Sequence, residues 1–424
     1  MHTSKGSVSS TSLTKLWTAI LYKRRCLFRR ARARVPGRLS SGSTAAVWWV
    51  PLLSHLISTS VPENWIASRQ KSEHSIWSNK PPLTPPLQVA GTRLHAPWFP
   101  SYLLTYATAH SAIIISPDYR LLPEACGKDI LSDISSLWSW LFTSLHTYVV
   151  LRDPLNTSCG VDLGKILVTG ESAGGWLAIQ SALMHPSRIK TILGIFPMVD
   201  LGDDHFTRGG RRSASESSGT YSKSADERSS SQRSLPVREH APAVGEPGGS
   251  RASKADIMGL GFLLDPCIID EHVAAARESN RSSSNPRRAV LSSVTPPARM
   301  ELSLALFQHG RLGELLGDER ELYPLEVLED LRRRGAGARL PPLCIIHGTD
   351  DTVVPVQGSK RLARAWEKTW QQQLAGGETR DRNYDDAVKL VLRPGEHGFE
   401  AKASAERDGW LRDALGWVAD RWLN

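Results

Sequence analysis

From about Trp98 onward, short apolar runs alternate with longer stretches in which apolar residues recur every three or four positions. Pro100–His110 suits a helix, and Ala112–Ser116 (AIIIS) suits a strand buried on both faces. Lys128–Val150 sets Ile130, Ile134, Leu137, Trp138, Leu141 and Leu145 at the period of an amphipathic helix. Lys165–Thr169 predicts a second strand, Ala173–Met184 a helix and Thr191–Phe196 a third strand. The alternation resumes with strands at Leu343–Ile346 and Val388–Leu392. It closes on a helix near Ala401–Leu423, with Leu411, Leu415, Val418 and Trp422 along one face. Strands that alternate with helices are joined by helical crossovers and therefore pair in parallel, which gives an α/β sheet flanked by helices.

Two stretches break this pattern. Residues 205–254 hold twelve serines and four residues of the large aliphatic or Phe type: Phe206, Leu235, Val237 and Val244. Such a segment buries too little apolar surface to offset its ordering entropy, and a disordered insert is expected. Residues 256–340 return to helical patterning, above all at Ala298–Phe307 and Glu319–Arg333, and read as a cap-like region. Within it, Leu302, Leu304, Ala305, Phe307 and His309 are candidates for a pocket wall, with ordinary core as the commoner role. The second break is the start of the chain. Residues 1–88 are expected to form an atypical basic arm, disordered and outside the sheet, and residues 89–424 the folded domain.

Charge sharpens that division. The 424-residue chain has a formal charge of +9, yet residues 1–62 carry ten Lys or Arg and no acid. The remainder has 42 basic and 43 acidic residues, so the basic balance belongs to the arm. A neutral body gives no reason to expect a nucleic-acid partner. No apolar run reaches about 18 residues, and Ala45–Ile57 is interrupted by His55 and Pro51, so no integral membrane segment is expected. Five widely spaced cysteines without a C-x-x-C pair fit neither a disulfide framework nor a structural zinc site. A cytoplasmic location is expected, with mitochondrial import through the Arg-rich start as the alternative.

The strongest chemical signal is Gly170-Glu171-Ser172-Ala173-Gly174-Gly175, a G-x-S-x-G sequence between a predicted strand and a predicted helix. A sharp turn there lifts a serine hydroxyl clear of the sheet, and the following helix offers free N–H groups to a developing negative charge. Serine needs a base, and the base needs an orienting acid. His397, in Pro394–Phe399, follows a predicted strand and is the candidate base; a surface loop histidine is the plainer alternative. Asp351, in His347–Pro355, is the candidate acid, with its neighbour Asp350 left open by spacing alone. His309 is a weaker base candidate because no strand precedes it. Ser172, Asp351 and His397 run in the chain order of an α/β-hydrolase triad.

The chain resembles the α/β-hydrolase fold-3 group, related to hormone-sensitive lipase and bacterial carboxylesterases. Asp118–Glu124 (DYRLLPE) is similar to that group's D-Y-R-L-x-P-E motif, and Gly170–Gly175 to its nucleophile elbow. The resemblance covers about residues 89–204 and 256–424. It implies a serine hydrolase acting on small-molecule acyl esters, without organic cofactor or metal. It also implies Ser172 as nucleophile, His397 as base, Asp351 as orienting acid, the Ala173 N–H as an oxyanion donor, and Asp118 and Arg120 as structural supports.

One departure bears on the activity. The group's H-G-G motif, whose N–H groups supply much of the oxyanion hole, is absent, and the matching stretch reads Thr84–Gly91 with prolines at 85 and 86. Proline has no N–H to donate. The strand that should precede the motif is not apparent either, so the family's N-terminal strands are expected to be missing or altered. Two other readings follow: a catalytically impaired hydrolase fold that acts in binding, and a serine peptidase related to the prolyl oligopeptidases.

Overall fold

The computed structural model describes residues 43–49, 89–93, 95, 98–152, 160–207, 254–282, 291–295, 298–335, 339–375 and 386–424. Six strands among them form one wholly parallel sheet: β1 (Ser43–Trp49), β2 (Ile113–Ile115), β3 (Val161–Glu171), β4 (Thr191–Ile195), β5 (Leu343–Gly348) and β6 (Val388–Arg393), in the order β2-β1-β3-β4-β5-β6. The α/β architecture expected from the sequence is therefore present.

The strands alternate between two cores, as a period of two residues requires. Ile166, Val168, Ile192, Leu343 and Ile345 pack into one apolar cluster; Leu167, Leu193, Cys344 and Ile346 pack into the other. The larger cluster receives α2 (Gly127–Thr143) and α4 (Ala173–Met184), with Trp138 and Trp176 buried in it. The smaller receives α1 (Ser101–Ala109) and α10 (Gly409–Leu423). In α10, Leu411, Leu415, Val418 and Trp422 all face the sheet, and Trp422 also donates its indole N–H to the Lys165 carbonyl at 2.8 Å.

Three differences from the sequence expectation have physical causes. The helix expected over 128–150 is two helices, α2 and α3 (Leu145–Arg152), separated at Ser144. Ser144 leaves helical geometry at φ −129° while its N–H still bonds the Trp140 carbonyl at 2.8 Å. The apolar spacing runs straight across that joint, so periodicity cannot reveal it. The last helix begins at Gly409 rather than 401, after a short 3₁₀ turn at Phe399–Lys402. The third difference is a correction. Residues 1–88 were expected to lie outside the sheet, but Ser43–Trp49 enters it between β2 and β3, with Ala45–Val47 opposite Ile113–Ile115 and Ile166–Val168. Its sequence, STAAVWW, has no period-two alternation of apolar and polar residues, and the basic flank hid it.

The rest of 1–88, and residues 208–253 of the Ser-rich stretch expected to be disordered, lie outside the described residues. No helix among the described residues is long and apolar enough to cross a membrane. The helical region after residue 254 is present as α5 (Cys267–Ser282), α6 (Met300–Gln308), α7 (Leu312–Leu316) and α8 (Pro324–Arg334). A further 20-residue helix, α9 (Val356–Ala375), follows β5; Leu362, Trp366 and Trp370 recur every four residues along its buried side.

Replacing Trp422 with Ala is expected to destabilise the fold by about 3 to 5 kcal/mol, because it removes a fully buried indole and leaves the Lys165 carbonyl without that donor. Urea unfolding of the two proteins measures it; a loss below about 1 kcal/mol would mean that α10 is not a structural cover of the sheet.

Candidate functional site

Ser172 sits between the last residue of β3 and the first of α4, at φ 50° and ψ −112°. A non-glycine residue at positive φ costs of order 1 to 2 kcal/mol, so the surroundings must hold it there. They do so through the backbone. The Ser172 N–H bonds the Ile195 carbonyl at 2.9 Å, and its own carbonyl accepts from Trp176 at 3.1 Å and Met198 at 3.0 Å. The turn is tight enough to exclude side chains. A Cβ on Gly170 would collide with the Gly174 carbonyl, and one on Gly175 would lie 2.6 Å from the Pro197 Cα. Ser172 is buried, and Ala173 opens the helix with its N–H in the first, unpaired turn.

Asp351 and His397 meet from two loops, one after β5 and one after β6. His397 Nδ1 lies 2.8 Å from Asp351 Oδ2. A carboxylate only accepts, so Nδ1 carries the proton and Nε2 presents a bare lone pair in the neutral ring. That Nε2 is buried and has no hydrogen-bond partner among the described residues. The other oxygen of Asp351 accepts the N–H groups of Val353 and Val354 at 2.9 and 2.8 Å. Ser172 and His397 share a wall: Ile195 accepts the serine N–H, and the next residue, Phe196, lays its ring 4.4 Å from the imidazole.

The remaining candidates are separated from this pair. The Asp350 carboxylate accepts the Gly395 N–H at 2.8 Å instead. His309 ends α6 and holds the Leu264 carbonyl at 2.7 Å. Leu302, Leu304, Ala305 and Phe307 are buried in the larger core, Phe307 edge-on to Phe206. Asp118 pairs with Arg93, and Arg120 bridges Asp129 and Asp133, which ties the Asp118–Glu124 motif to α2. Of the stretch that stands in place of H-G-G, residues 89–91 are described, and Gly91 spends its N–H on the Val294 carbonyl at 2.9 Å. No group of three or more His, Cys, Asp or Glu among the described residues is arranged to hold a metal ion.

Sequence reasoning missed three buried groups near this pair and Ser172. His347, at the end of β5, donates from Nε2 to the Val354 carbonyl at 2.9 Å and lies 3.3 Å from Asp351 Oδ2, while Ser359 bonds its Nδ1 at 2.7 Å. Burial pushes the Asp351 carboxyl up, but the His397 and His347 imidazoles beside it outweigh burial and hold it well below the usual carboxylate range. The others are Glu171 and Glu400, beside Ser172 and near His397 in sequence. Both are buried, and Glu171 Oε1, Glu400 Oε2 and the nearby Tyr102 hydroxyl have no hydrogen-bond partner among the described residues. Burial raises Glu171 well above the ordinary value, with the Glu400 charge adding to it. Burial also raises Glu400, to about 7, against the lowering pull of its own backbone N–H and of His397.

A carboxyl raised in the folded state keeps its proton where the unfolded chain has released it, so the folded state loses stability as pH climbs from about 4.5 towards 7. Glu400→Gln has no proton to release. Its melting temperature is expected to exceed the parent's by about 3 °C at pH 8 and by nothing at pH 5. Calorimetry at the two pH values tests this; an equal difference at both would contradict the buried, protonated state.

Comparison with known proteins agrees with this architecture. A family model described as an alpha/beta hydrolase fold matches residues 94–233. The probable carboxylesterase M8 of Phoma sp. (strain ATCC 20986 / MF5453) is 29% identical over 340 residues, covering 79% of this chain and 82% of that protein. The probable carboxylesterase clz11 of Cochliobolus lunatus is 30% identical over 263 residues, covering 61% of this chain and 92% of that protein. Thermogutta terrifontis esterase 2 phosphonylated by sarin aligns with 91% of this chain and 86% of its own at 15% identity and a TM-score of 0.39, too loose a superposition to bear on the reaction. With the elbow, the parallel sheet and relatives matched across most of their length, the chain belongs to the α/β-hydrolase family, in its fold-3 group.

Proposed function

We propose that the protein is a serine carboxylesterase in which Ser172, His397 and Asp351 act together on small acyl esters. The observation that carries the reading is the buried Asp351–His397 hydrogen bond through Nδ1, which leaves Nε2 without a hydrogen-bond partner among the described residues. The names of the fungal relatives, both probable carboxylesterases, support the choice of ester over peptide.

In the proposed reaction Ser172 Oγ attacks the acyl carbon and passes its proton to His397 Nε2. The ester C–O bond breaks, and the same proton goes to the departing alkoxide, which leaves as alcohol. Water then attacks the acyl-enzyme, gives its proton to Nε2, and the acid departs as the serine oxygen is reprotonated. Asp351 stays ionised throughout and stabilises the imidazolium. The Ala173 N–H would face the oxyanion. Gly91 has none to offer, which favours slow turnover, since one lost oxyanion donor costs roughly 100- to 1000-fold in rate.

Hydrolysis of p-nitrophenyl acetate and butyrate by the purified full chain tests the reading. Ser172→Ala and His397→Ala are each expected to lower kcat by at least about 1000-fold, and the double variant by no more than the worse single one. Turnover that survives both substitutions would overturn it. A folded wild-type chain with no turnover at all would favour the impaired, binding reading.

A further inference from the structure

Two loops must hold Asp351 and His397 in register, and both are cross-linked on either side of that pair. On one side, the Asp350 N–H bonds the Gly395 carbonyl at 3.1 Å, and the Gly395 N–H returns to Asp350 Oδ2 at 2.8 Å. On the other side stands Glu396. Its Oε2 accepts two backbone N–H groups, from Thr352 at 2.9 Å and from His397 at 2.8 Å, and its Oε1 accepts the Thr352 hydroxyl. Thr352 follows the acid and Glu396 precedes the base, so one carboxylate grips the backbone of both loops. An ionised acceptor makes such bonds stronger than neutral ones.

The Thr352 hydroxyl also accepts, at 2.9 Å, the N–H of Met258, which stands at the kink within the short 3₁₀ stretch Lys254–Gly259. The bonds converge on the carboxylate: Met258 N–H donates to the Thr352 oxygen, the Thr352 hydroxyl donates to Glu396, and the His397 N–H donates to Glu396 from the other side. The helical region that follows the Ser-rich stretch is thereby tied to the loop that carries the base.

We infer that Glu396, acting through Thr352 and the His397 backbone, is a positioning residue that sets the Asp351–His397 geometry. The inference rests on the triad reading of these residues. Glu396 touches no reacting atom in this arrangement. It fixes where the imidazole stands, and a displacement on the scale of 1 Å costs a large factor in rate. Its side chain is exposed, so replacing it opens no cavity in the core.

The test compares Glu396→Ala, Glu396→Gln and Thr352→Val with the wild-type full chain. In Glu396→Ala, kcat for p-nitrophenyl butyrate is expected to fall about tenfold with KM within twofold, and Glu396→Gln should recover part of the loss. Thr352→Val should show a smaller loss, and adding it to Glu396→Ala should cost nothing more, because both break the same clamp. The low-field proton resonance of the Asp351–His397 hydrogen bond is the readout independent of turnover, and it should shift or vanish in Glu396→Ala. A kcat within twofold, a loss confined to KM, or an unmoved resonance in Glu396→Ala would each overturn the inference. If the wild-type chain hydrolyses no ester, the serine-esterase reading fails, and the resonance still decides whether Glu396 sets the pair.

Discussion

A serine at φ 50° between a strand and a helix stays there only because everything around it leaves no other place. Gly170 lets the strand close on the helix at Gly174, and Gly175 lets Pro197 approach to a distance that a side chain would forbid. Three backbone hydrogen bonds then hold Ser172, one to the last residue of β4 and one to the segment that follows it. The elbow is thus not a property of β3 and α4 alone. It requires β4 to be in register beside β3, and that register is set by apolar residues pointing alternately into two cores. The local strain of one residue is offset by the packing of a whole sheet.

The same sheet explains how Asp351 and His397 meet from distant parts of the chain. β4, β5 and β6 are consecutive neighbours, so the loops after β5 and β6 end beside the loop after β4. Phe196, bonded through its N–H to Ile346 at 2.7 Å, lies against His397. Residues separated by more than two hundred positions therefore share one wall. Around them the polar groups are unevenly served. Asp351 is held by two backbone N–H groups and two imidazoles, whereas Glu171 and Glu400 are buried with unsatisfied oxygens among the described residues. The first arrangement keeps a charge; the second keeps a proton.

Much of this was legible in the sequence, for different reasons at each place. Strands β4 and β5 and the core of β3 are short, bounded apolar runs, and α4 is bracketed by its own glycine turn, so they follow from pattern; the start of β3 at Val161 does not. Ser172 is legible because the chemistry demands glycines around it. Asp351 stood out by its place after a strand, but its distinction from Asp350 needed the observed hydrogen bond. β1 was hidden because STAAVWW has no alternation of apolar and polar residues to read, and it lies next to a basic flank. The break at Ser144 was hidden because the apolar period continues through it. His347, Glu396 and the buried glutamates carry no sequence signal of their role. Their partners are brought to them by the fold, and neither spacing nor composition encodes which carboxylate meets which N–H.

The central claim is that Ser172 is an activated nucleophile, and its most direct test asks for the covalent bond itself. The purified full chain is treated with a fluorophosphonate probe, digested, and the modified residue located by mass spectrometry, alongside His397→Ala. The account predicts one adduct, on Ser172, that disappears when His397 is replaced. Absence of an adduct in the folded wild-type chain, or an adduct that persists without His397, would contradict it.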